Sequence, residues 1–189
     1  MEEKAKTPFG CLPVLYIIKG DKQAVISETH AIENYLAKQF GLMGDNEYEE
    51  AIIRSFHCSS ASLFAVFSGS VVWNLPEVRD KTLEAFKKQL THWAQNHERH
   101  LMGNGNNGHY MSLADIRTAN LINHFSLQPW SKELTEIISQ APALMKLKET
   151  VENDPRLHHW KFSDEAKKVA DATRSFFVNL FAASGKTVV

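Results

Sequence analysis

Apolar residues follow two different periods along this chain. From Pro13 to Ser27 they come in short runs rich in β-formers, PVLYII and AVIS, with Lys19-Gly20-Asp21-Lys22 between them. Two such runs around a glycine-bearing turn predict a β-hairpin. The stretch 28–39, beginning ETHAIENYL, reads as a helix that follows at once, and 41–46 as a linker. From Glu47 onward the spacing becomes helical. Ile52, Phe56, Leu63 and Phe67 predict a helix within 47–75 that Pro76 closes. Val78, Leu83, Phe86, Leu90, Trp93, His97 and Leu101 form a second stripe over 77–101, and GNGNNG (103–108) a loop. After Ser112, the residues Leu113, Ile116 and Leu121 lead a third helix inward. Its start reads as a reciprocal cap: the Ser112 hydroxyl accepts from the Asp115 N–H and the Asp115 carboxylate from the Ser112 N–H, worth about 1 kcal/mol. Pro142 starts another helix, and NDPRLHHW (153–160) reads as a turn into a last aromatic anchor, Trp160. Val169, Thr173, Phe176, Phe177, Leu180 and Phe181 make a final helical stripe, of the kind that packs on a core or an interface. The expected fold class is α+β, mostly α.

At 189 residues the chain suffices for one substantial domain or two small ones sharing an interface. A formal net charge of −1 supplies no basic footprint for nucleic acid or an acidic membrane. Cys11 and Cys58 are too few for a disulfide scaffold. The opening MEEKAKT is charged and lacks the apolar core of a signal peptide. No segment reads as approaching the roughly 20 apolar residues that span a bilayer. The expectation is a cytoplasmic protein with neither nucleic-acid nor membrane partners.

Candidate chemistry concentrates near the start. Thr7–Leu15, TPFGCLPVL, approaches the first strand through Pro13. X-Pro is the one peptide bond with an accessible cis form; a cis bond there turns the Leu12 main chain outward, where its N–H and C=O can pair with a ligand's backbone. Glu28-Thr29 then opens a helix whose free N–H groups, with the Thr29 hydroxyl, suit a carboxylate. Singly, Pro13 reads equally as a turn proline and Thr29 as an ordinary helix-start hydroxyl. As a spaced set they favour a site for a small, anionic, peptide-like ligand.

These two segments resemble the glutathione site of the cytosolic glutathione transferases. Among them they are most similar to the sigma-type and fungal members, which carry P-F-G-x-[LIV]-P-V-L and then a [QE]-[ST]-x-A-I-x-x-Y-L helix start. FGLMGDNEYEEA resembles the family's interdomain linker, and SLAD (Ser112–Asp115) its S/T-x-x-D box. The resemblance implies an incomplete thioredoxin-like domain (hairpin plus helix) over 1–40, a linker over 41–46, an all-α bundle domain over 47–162 and a helical tail over 163–189. It implies conjugation of reduced glutathione to small hydrophobic electrophiles, in a homodimer, with glutathione as cosubstrate and no cofactor or metal. Cys11, Leu12, Pro13, Glu28 and Thr29 would grip the tripeptide, and Lys4 would meet its glycyl carboxylate. Phe64, Phe67 and Trp73 would contact the hydrophobic substrate.

The chain departs from the family pattern in its missing activator. Family members stabilise the glutathione thiolate with a Tyr, Ser or Cys some tens of residues before the Pro-Val-Leu segment. Here Tyr16, Tyr35, Tyr48 and Tyr110 all follow Pro13, so no catalytic residue is assigned. The strand from Val14 also lacks the strand–helix–strand unit that would cover it, leaving an open edge on a hairpin that is marginal alone. An N-terminally truncated form is therefore expected. The short turn that the family places before the S/T-x-x-D box is missing too. A non-catalytic, transferase-like module that binds proteins or sequesters apolar ligands is the competing reading, and a helical domain without ligand the third. His92, His97 and His100 read as solvated helix residues, Cys11 as a small buried thiol without a C-x-x-C partner, and SGKT (184–187) as no phosphate loop, so no metal or nucleotide site is expected.

Overall fold

Val14–Lys19 (β1) and Lys22–Ser27 (β2) pair antiparallel, with Val14 opposite Ser27 and Lys19 opposite Lys22. Gly20 in the two-residue turn has φ 58°, the positive value that a type II′ hairpin needs at its first central residue. Glu28 leads straight into α1 (Thr29–Gln39). The structure, a computed structural model, describes residues 4–103 and 111–182. Among the described residues the sheet has two strands, and Tyr16, Ile18 and Val25 on it are exposed. Among the described residues no third strand pairs with β1 or β2.

The rest is helical. α2 (Glu47–Phe67) runs on through one π turn, Ser68–Val72, before α3 (Pro76–Gly103). α4 (Leu113–Ser126), α5 (Ser131–Ser139), α6 (Pro142–Glu152), α7 (Pro155–Lys161) and α8 (Asp164–Ala182) follow. Hairpin, helix and helical bundle make the α+β, mostly helical fold that the periodicity predicts. Asn46 starts α2 by accepting from the Glu49 N–H at 3.0 Å. Ser112 starts α4 with both halves of a capping box: its N–H donates to Asp115 Oδ2 at 2.8 Å and the Asp115 N–H donates to Ser112 Oγ at 3.3 Å.

One core fills the bundle. At its centre Phe67 meets Phe86, Phe125 and Trp130, with ring centroids 4.9, 5.2 and 6.3 Å away, within the range of favourable aromatic pairing. A smaller core of Ala37, Met43 and Leu113, with Leu42 and Ile53 against it, joins α1 to α2 and α4. Residues 41–46 belong to that packing: the Leu113 N–H donates to the Leu42 carbonyl at 3.0 Å and Met43 is buried.

Several expectations change at the element ends. Pro76 opens α3 instead of closing α2, which has already ended in the π turn. Val78 is exposed and Arg79 is turned inward, donating to the Val71 and Asn74 carbonyls at 3.0 and 2.8 Å and so satisfying groups that a helix end leaves free. NDPRLHHW is helical: Asp154 caps α7 through the Arg156 N–H at 2.8 Å and Pro155 opens it, a position suited to proline. Trp160 is 56% exposed instead of seated as a buried aromatic anchor. In α8 Ala166 is buried while Val169 is exposed; the side chains of Phe177, Leu180 and Phe181, like residues 104–110 and 183–189, lie outside the described set. His97 is buried, not solvated. Finally, Glu47–Val72 is long and apolar enough to cross a membrane by length and composition, which the sequence reading did not expect. One face of it, including Leu63, Phe67 and Val71, is built into the bundle core.

Candidate functional site

The hairpin brings the two chemistry-bearing segments together. Because Val14 pairs with Ser27, Cys11–Pro13 and Glu28-Thr29 are neighbours just beyond the ladder. The Cys11 thiol donates to Glu28 Oε1 at 3.5 Å, and the Leu12–Pro13 bond is cis. Lys4, in a single 3-10 turn (Lys4–Lys6), is near enough for its charge to act on Cys11. Burial, then the hydrogen bond and negative charge of Glu28, push the Cys11 thiol up against that pull. A thiol pushed up in this way is a poorer source of thiolate than a free cysteine.

Glu28 has φ 73° and ψ 123°, a region that costs a non-glycine residue about 1–3 kcal/mol. Among the described residues, the Glu28 side chain makes no cap to the α1 N-terminus, and no acidic residue sits in its first turn. The free N–H groups there, with the exposed Thr29 hydroxyl, form an end receptive to an anion. A carboxylate and an anion-receptive helix end therefore stand side by side, complementary to the ammonium and carboxylate of an amino-acid zwitterion.

The three aromatics expected at an electrophile pocket do not form one wall. Phe67 is 0% exposed, sealed in the core; helical spacing alone does not separate a core position from a pocket position. Phe64 is half-buried, with the Arg117 guanidinium 5.6 Å above its ring and His124 5.0 Å away. Trp73 is exposed beyond the π turn, 5.9 Å from Phe176 of α8. Depressions on the bundle include one of about 210 Å³ around Ala94, Gln95 and Ile137 and one of about 680 Å³ around Ser62, Val66 and His92. Neither is lined by Phe64, Phe67 or Trp73.

A polar cluster that the sequence reading missed joins α1, α2 and α4. Glu33 Oε2 lies 2.8 Å from His57 Nε2 and 3.3 Å from His30 Nδ1, while Arg117 Nη1 donates to Glu33 Oε1 at 3.1 Å. His57 is fully buried and stands edge-on to His30, with centroids 5.3 Å apart. Burial pushes the Glu33 carboxyl up, but the His57 hydrogen bond, the Arg117 charge and His30 outweigh it and hold the group below the usual carboxylate range. Nearby, burial and then the Arg117 charge bring His124 down to about 4; its Nε2 accepts from Gln128 Nε2 at 3.0 Å. The sequence trace of this cluster is the i, i+3 spacing of His30 and Glu33. His57 and Arg117 stand 24 and 84 residues from Glu33.

A hairpin docked on one helix and followed by a helical bundle is the architecture of a transferase-type fold, and comparison with known proteins agrees. A family model described as the glutathione S-transferase C-terminal domain matches residues 74–164. Glutathione S-transferase 1 of Ascaris suum is 30% identical over 172 residues, covering 83% of this chain and 75% of that protein. S-crystallin SL11 of Nototodarus sloanii is 25% identical over 157 residues, covering 82% and 74%. The Pi-class glutathione S-transferase of Onchocerca volvulus superposes with a TM-score of 0.69 at 22% identity, over 88% of this chain and 77% of that one. The chain belongs to the glutathione S-transferase family.

Proposed function

We propose that this protein binds reduced glutathione at the junction of β1, β2 and α1, and acts as a glutathione transferase on small hydrophobic electrophiles. The observation that carries this reading is Glu28, held at positive φ beside Cys11 and immediately before a helix end that its side chain does not cap. Its carboxylate would take the α-ammonium of the γ-glutamyl group. Thr29 and the first N–H groups of α1 would take the adjoining carboxylate, and the Leu12 main chain would pair with the cysteinyl backbone. Lys4 would meet the glycyl carboxylate. Family membership supports the chemistry: the glutathione sulfur forms a bond to an electrophilic carbon, and the thiol proton and the leaving group depart. Cys11 is assigned no nucleophilic part, and no described residue is assigned as the thiol activator. The same reading makes the protein a cytosolic homodimer with glutathione as cosubstrate and no further cofactor.

Calorimetric titration of the purified chain with reduced glutathione tests the site. Saturable binding in the micromolar to low-millimolar range is expected. Thr29→Ala should weaken it by about 1–2 kcal/mol, the value of a hydrogen bond to a charged group. A folded chain that does not bind, or a Thr29→Ala variant that binds equally well, would overturn the assignment.

A further inference from the structure

We propose that His30, Glu33 and His57 form a binding site for a zinc-like divalent transition-metal ion, which bridges α1 and α2. This inference is independent of glutathione binding. The ligand atoms His30 Nδ1, Glu33 Oε2 and His57 Nε2 all lie within 4.8 Å of one another. Tetrahedral zinc bonds of about 2.0–2.2 Å place neighbouring ligand atoms about 3.3–3.5 Å apart. Glu33 Oε2 is already 3.3 Å from one nitrogen and 2.8 Å from the other, so small side-chain adjustments centre an ion. Two imidazoles and one carboxylate suit zinc and its neighbours, whereas calcium and magnesium select all-oxygen sets.

The surroundings have the features of a built site. His30 and Glu33 share one face of α1 because they are a turn apart, and His57 is fixed by complete burial in α2. Arg117 holds Glu33 Oε1 at 3.1 Å, leaving Oε2 aimed at both histidines, the orienting role that partners behind a metal ligand play. His30 is exposed, so the cluster can be reached from solvent.

The test is a calorimetric titration of chelator-treated protein with zinc chloride at neutral pH, repeated on His30→Ala and His92→Ala. Both replaced side chains are exposed, so both variants keep the fold. One equivalent of zinc should bind to the wild type and to His92→Ala, and affinity should drop at least tenfold in His30→Ala. At a hundredfold excess of zinc over its Kd, the melting temperature of the wild type should rise by about 5–10 °C, and that rise should shrink in His30→Ala. Absence of stoichiometric binding, or binding that survives His30→Ala within tenfold, overturns the proposal.

Discussion

Gly44 and Glu28 both place their backbones at positive φ, for different reasons. At Gly44, φ is 77°, and an added Cβ would sit 2.6 Å from Glu49 Cβ and 2.8 Å from Glu49 Oε2. Glu49 is not free to retreat, because its Oε2 accepts from the Asp45 N–H at 2.8 Å. Gly44→Ala is therefore expected to cost about 1–3 kcal/mol. Urea denaturation would show this as a lower midpoint with unchanged slope, and a midpoint equal to the wild type would refute it. Glu28 occupies the same side of φ without glycine's freedom, where a carboxylate is held at the start of α1. Such strain persists where surrounding structure enforces it, and it gathers at binding sites.

Among the elements, α4 and α6 start in contrasting ways. The cap of α4 is local, Ser112 and Asp115 serving each other across three residues. α6 has Pro142 in its first turn and no side chain capping it from Ala141. Its free amides are met from α3: Glu98 Oε1 accepts from the Ala143 N–H and Oε2 from the Leu144 N–H, each at 3.0 Å. A carboxylate at a helix N-terminus also opposes the positive end of the macrodipole. Glu98→Ala removes two charge-assisted bonds at once and is expected to cost about 1–3 kcal/mol. For a chain of this length that is a fall of several degrees in melting temperature. A thermal melt within one degree of the wild type would show that water replaces Glu98 without loss.

At the scale of the whole molecule, buried histidines make stability depend on pH. His124 is held neutral, its pKa reduced from 6.5 to about 4 by burial and then by Arg117. Burial lowers His97 as well. Between those limits the unfolded chain takes up a proton that the folded chain refuses. The contribution of His124 is therefore complete above its unfolded pKa and is lost as pH falls toward about 4. From pH 7 to pH 5 that loss is about 2 kcal/mol. At still lower pH, protonation of Glu33 through its depressed pKa removes further stability. Urea midpoints at pH 7 and pH 5 should reveal the loss, and His124→Gln should reduce the difference between them. An undiminished difference in that variant would place the pH dependence elsewhere.

Local rules account for what the sequence alone determined: the hairpin around Gly20, the apolar stripe of α3 from Leu83 to Trp93, the Ser112 start of α4, and the proximity of the Pro13 and Glu28 segments. Each follows from spacing, turn chemistry or capping within a few residues, and hairpin pairing then brings Cys11 and Glu28 to 3.5 Å. Where local patterns admit two outcomes, the tertiary structure decided. Phe67 and Phe64 share one helix and similar chemistry, yet one is sealed among Phe86 and Phe125 while the other lies under Arg117. Asp154 and Pro155 fit a turn as well as a helix start, and α7 is the outcome. The contacts of Glu33 with His57 and Arg117, and the Glu98 cap, join residues 24 to 84 apart in the chain. Their partners are selected by packing of whole helices, and helical periodicity specifies which face turns inward without specifying what it will meet.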